Sequence, residues 1–109
     1  MIVIESVDMF DRVLTQNNLV ATYFSGQNCS VCQALKPKIE TLLLEHFPEV
    51  VLVEVKTEIM PELSAQHLIF TIPSLLFFIE RREYFREVRM IDISLLHKKL
   101  EKIIGLYNE

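Results

Sequence analysis

Residues 19–47 read LVATYFSGQNCSVCQALKPKIETLLLEHF, and the hydrophobic period changes in the middle of them. Leu19 to Ser25 reads as a buried strand, and Gly26 to Asn28 is a loop. From Cys29 to about His46 the apolar residues Val31, Leu35, Ile39, Leu42, Leu43 and Phe47 recur at helical spacing, predicting an amphipathic helix. Pro37 falls inside that helix, where its missing N–H predicts a kink. The joint between strand and helix holds both cysteines of the chain, Cys29 and Cys32. A disulfide across so short a loop adds little to folding, so chemistry explains the pair better than stapling does.

On the N-terminal side, Ile2 to Ile4 is a short β-branched run, and Ser6 can cap a helix from Val7 to about Gln16 with Val7, Phe10 and Leu14 on one face. On the C-terminal side, Val50 to Lys56 is a continuous β-branched run suited to a central strand covered on both faces. Pro61 suits the first turn of a short helix through about Leu68, followed by a strand from Ser74 to Glu80. Arg81 and Arg82 are the expected hairpin tip, leading to a charged edge strand from Glu83 to about Val88. Asp92 or Ser94 can cap a last helix whose Leu95, Leu96, Leu100, Ile103 and Ile104 face the sheet. Phe70, Phe77, Phe78 and Phe85 are expected in the core, and His46, His67 and His97 at the surface or at helix ends. The order βαβαβαββα implies an α/β fold: one domain over residues 1–109, with a mixed sheet of about five strands and helices on both faces.

Composition narrows the function classes. A chain of 109 residues, half of them hydrophobic, can bury a core without metal or disulfide support. Its net charge of −4 is scattered and offers no basic stripe, which argues against nucleic acid and acidic membrane surfaces as partners. No apolar run approaches the roughly 18 residues of a membrane span. The first residues lack the pattern of a secretory signal, so a cytoplasmic location is expected. No cofactor is called for. A lone C-x-x-C can be half of a zinc site, but no second one exists and the histidines are scattered, so the redox reading is preferred and no metal is assigned.

Over essentially its whole length the chain resembles the thioredoxin family. Cys29-Ser30-Val31-Cys32 between a strand and a helix, Pro37 at the position of the family's kink, and Ile72-Pro73 before an apolar strand carry the likeness. The resemblance implies a thioredoxin fold and a thiol-disulfide oxidoreductase reducing protein disulfides through a Cys29/Cys32 cycle. Cys29, at a helix N-terminus that favours thiolate, is the expected attacking sulfur, and Cys32 the resolving one. Pro73 is expected to be cis beside the dithiol, with Ile72 and Asn28 among the residues that meet the substrate. A thioredoxin-reductase-type electron donor and a monomer or weak dimer complete what is expected.

The departures are specific. Asn28 replaces the family's tryptophan, and Ser30-Val31 its usual glycine and proline. Tyr23 falls where the family has a buried aspartate and Glu54 where it has a lysine. Glu54, hydrogen-bonded to Tyr23 or water, can be read as a proton relay to Cys32; because buried glutamates are uncommon, the simpler expectation is a solvated Glu54 at a strand end. Arg89, in place of a glycine after the last strand, makes a bulkier basic rim that selects acidic partners, or is merely solvent-facing, which is the simpler expectation. Two other functions stay open: a binding module or adaptor docking a partner beside Cys29 and Pro73, and a dimer pooling its thiolates on zinc or copper.

Overall fold

The computed structural model describes residues 1–109 and has the element order expected from the sequence. The elements are β1 (Ile2–Val3), α1 (Val7–Gln16), β2 (Leu19–Ser25), α2 (Ser30–His46), β3 (Val51–Lys56), α3 (Pro61–Gln66), β4 (Ser74–Ile79), β5 (Arg82–Val88) and α4 (Ile93–Tyr107). They form a single domain built on one five-stranded mixed sheet in the order β1-β3-β2-β4-β5. β1 and β2 run parallel to β3, while β4 is antiparallel to both β2 and β5. The middle strand is β2, flanked by β3 and β4; β3 is internal but not central as expected.

Side chains alternate across β2 and divide the core in two. Leu19, Ala21 and Tyr23 join Leu35, Ile39 and Leu43 of α2 and Leu96, Leu100 and Ile104 of α4 on one face. Val20 and Phe24 join Phe10 and Leu14 of α1 and Leu63 of α3 on the other. Since β2 is buried along its whole length, its end can carry a loop to a fixed place. The capping residues read from sequence do their work: the Ser6 hydroxyl accepts from the Met9 N–H, and the Asp92 carboxylate from the Leu95 N–H.

Several expectations are corrected. The hairpin turns at Glu80 and Arg81, one residue earlier than expected, and both have positive φ, 48° and 73°. Such a two-residue turn matches the strand twist but favours Asn or Gly. Here Arg81 is bound to α1 instead, through an ion pair of 2.7 Å to Asp11 and a hydrogen bond to Thr15. α3 stops at Gln66 rather than Leu68, which has φ 56°. Phe70 is 88% exposed, in the loop before β4, where no helix or strand covers it. Val31 and Leu95 lie in the first turns of their helices and point to solvent, and Val7 is exposed too. His67 lies at the end of α3, as expected, but is half-buried at right angles to the rings of Phe10 and Phe78, and desolvation holds its imidazole below the usual pKa. No helix is long and apolar enough to cross a membrane.

Candidate active site

The end of β2 and the start of α2 place the two sulfurs. After Ser25 the chain makes a tight passage at Gly26, where an added Cβ would lie 2.5 Å from the Ile72 Cδ1. Asn28 then adopts φ 58°, a left-handed conformation that asparagine tolerates better than most residues. Cys29 is the N-cap of α2, and its sulfur accepts the Cys32 N–H at 3.2 Å. The two cysteines form a disulfide with their Cα atoms 5.2 Å apart. Cys32 is 2% exposed, whereas Cys29 is partly open to solvent. The attackable sulfur therefore faces outward at the positive end of a helix, and its partner faces the core.

In front of Cys29 lies a groove of about 450 Å³. Asn28, Val31, Ile72 and the cis Pro73 line it, with the exposed Arg89 and Met90 at its rim. The Pro73 carbonyl accepts the Arg89 N–H at 2.9 Å, fixing this rim to the proline. Arg89 is exposed at the end of β5, as the simpler reading expected, but it also lines the groove. Its φ of 66° is one for which glycine is the unstrained choice.

Behind Cys32 the environment is different. A cavity of about 420 Å³ is lined by Cys32, Ser25, Lys36 and Glu54 among others. Glu54 is only 4% exposed, so the expectation of a solvated strand-end carboxylate is wrong. Its position on β3 aims it at the α2 face, where Lys36, one turn after Cys32, donates to it at 2.9 Å and the Ser25 hydroxyl at 2.7 Å. Burial raises the Glu54 pKa, but hydrogen bonds from Lys36 and Ser25 and the charges of Lys36 and Lys56 outweigh it, holding the carboxyl below its ordinary value. The hydrogen bond expected between Tyr23 and Glu54 does not form, although the two are register partners. The Tyr23 hydroxyl instead donates to the Cys32 carbonyl at 2.7 Å. Burial, with the Glu54 charge, pushes its pKa up to about 12.

Sequence reasoning missed Lys36. The available signal was its place four residues after Cys32, on the same side of a helix. No three His, Cys, Asp or Glu side chains are grouped to hold a metal within the chain.

Comparison with known proteins agrees with the geometry. A model of the family described as thioredoxin matches residues 1–102. The chain is 29% identical over 104 residues to a thioredoxin-like protein, YdfQ, of Bacillus subtilis, covering 95% of this chain and 92% of that one. It is 30% identical over 86 residues to a thioredoxin of Chlamydia trachomatis, covering 79% and 83%. Among solved structures, the thioredoxin of Trypanosoma brucei brucei superposes with a TM-score of 0.87 at 19% identity, covering 96% of this chain and 91% of that one. The oxidised mitochondrial thioredoxin 3 of Saccharomyces cerevisiae does so with a TM-score of 0.85 at 15% identity, covering 94% of each. These two structural likenesses concern the fold.

Proposed function

The chain belongs to the thioredoxin family and carries a thiol-disulfide oxidoreductase centre at Cys29 and Cys32; from that premise we propose that it reduces disulfides in partner proteins of the cytoplasm. The observation that carries this reading is the unequal exposure of the two sulfurs at one helix start. The Cys29 thiolate attacks one sulfur of the substrate disulfide, forming a mixed disulfide and releasing the other sulfur as a thiolate. The Cys32 thiolate then attacks Cys29 Sγ, closing the intramolecular disulfide and releasing the second substrate thiolate. Two electrons pass to the substrate, and a thioredoxin-reductase-type dithiol donor restores them.

Asn28, Ile72 and Pro73 receive the substrate segment, whose backbone pairs with that of Ile72 in the manner of an added strand. Glu54 is the proton relay for Cys32, because both line one cavity and Lys36 and Ser25 hold the carboxylate there. Tyr23, whose proton is engaged by the Cys32 carbonyl, supports the relay by fixing the helix start rather than by exchanging protons. Residues 1–109 act as one domain, as a monomer or weak dimer.

The test is the equilibrium reduction potential of the pair, from free thiols counted in dithiol buffers. A value within or below roughly −220 to −320 mV supports a reductase; one near about −120 mV marks a disulfide donor and overturns this direction of electron flow. A dithiol that never oxidises turns the case to partner docking or to a dimer pooling its thiolates on a metal.

A further inference from the structure

The groove's rim carries a cation with no partner. Arg81 and Arg86 are both bound to carboxylates, Asp11 and Glu83. The Arg89 guanidinium has neither an ion pair nor a hydrogen bond within the chain. No residue lining the groove is acidic, although the chain as a whole has a net charge of −4. Arg89 also holds a left-handed backbone, φ 66°, and its N–H is tied to the Pro73 carbonyl beside the disulfide. Strained conformations that the surrounding structure maintains gather at ligand-contacting positions. Next to it Met90 is 93% exposed, presenting an adaptable apolar side chain to the same groove.

We propose that Arg89 is a specificity-determining residue: the groove favours disulfides whose attacked cysteine is flanked by aspartate or glutamate, paired with the guanidinium, beside an apolar side chain laid on Met90. This rests on the oxidoreductase reading of the groove and adds the class of substrate. Charge complementarity at a rim acts on selection and encounter more than on the chemistry itself, so the effect lies in the ratio between substrates.

The experiment compares matched disulfide peptides with Asp, Ala or Lys beside the cysteine, reacted with the reduced full chain at low and high ionic strength. The wild type reacts fastest with the Asp peptide, and the preference shrinks in salt. Arg89→Gly lowers the Asp-to-Ala rate ratio by about 3- to 5-fold, and Arg89→Glu turns the preference toward Lys. Arg82→Glu makes the same charge change at the other end of β5, roughly 20 Å away at strand spacing, and leaves the ratio alone. An unchanged ratio in both Arg89 variants, or an equal shift in Arg82→Glu, overturns the proposal. Should no peptide be reduced, the oxidoreductase reading has failed. The affinities of the oxidised wild type and Arg89 variants for the corresponding serine peptides then decide the selectivity, and a missing Asp preference there overturns it.

Discussion

The front and back of the disulfide are built on opposite plans. In front of Cys29 the groove has few internal bonds: its rim residues Val31, Arg89 and Met90 are exposed, and its fixed parts are backbone. Behind Cys32, Glu54, Lys36, Ser25 and Tyr23 are engaged with one another or with the helix, and all but Lys36 are buried. Two sulfurs three residues apart therefore meet different demands. The outer one must accept varied substrates, whereas the inner one must be presented repeatedly in one place. Front residues should accordingly govern rates between substrates and back residues should govern stability and the resolving step.

The largest effect expected is on the sulfurs. Cys29→Ser should cut disulfide reduction by at least about a thousandfold. Cys32→Ser should instead stall with the substrate bound to Cys29, visible as a mixed-disulfide mass; equal silence from both variants would erase the division of labour. Next in size, Lys36→Met leaves the Glu54 carboxylate buried without its cation and should cost about 1–3 kcal/mol in urea unfolding at neutral pH, tempered because Lys36 is partly exposed.

Glu54→Gln should cost less than that and should slow mixed-disulfide resolution by about tenfold, with a changed pH profile. The sign of its pH dependence is fixed. Glu54 titrates below its ordinary 4.5 when folded, so its contribution is present above 4.5 and is lost as pH falls through that depressed value. The stability gap between wild type and Glu54→Gln should therefore close in acid, and a constant gap would mean the charge is not what stabilises. Thr22, wholly buried in β2, has a hydroxyl with no partner, so Thr22→Val should gain about 0.5–1 kcal/mol. Smallest of all, Met90→Ser in the front rim should leave stability within about 0.5 kcal/mol. A larger loss would break the comparison.

Much of this molecule was legible without coordinates because its local signals agree. Ser6 and Asp92 act through their own neighbours, and the change of period after the Gly26–Asn28 loop marks the helix start at Cys29. What escaped depends on distant partners. The Glu80–Arg81 turn lacks the usual turn residues, and the contacts of Arg81 lie on α1, some seventy residues earlier. Phe70 looks like core by type, but nothing in its own vicinity shows that the loop is uncovered. Burial of Glu54 runs against its chemistry until Lys36, 18 residues away in sequence, is seen beside it. The groove's cation was visible as a residue type only; its loneliness is a property of space.

The start of α2 is pinned in three ways: by the Cys29–Cys32 bond, by the Tyr23 hydroxyl on the Cys32 carbonyl, and by the Lys36–Glu54 pair. Reduction removes the first pin, and neither of the other two involves a sulfur atom. The freed thiols then have little room to drift apart, so each keeps the other at a high effective molarity. Turning over becomes an exchange of bonds on a stationary frame. How long a partner stays captured then depends on that frame together with the partner's own leaving thiol.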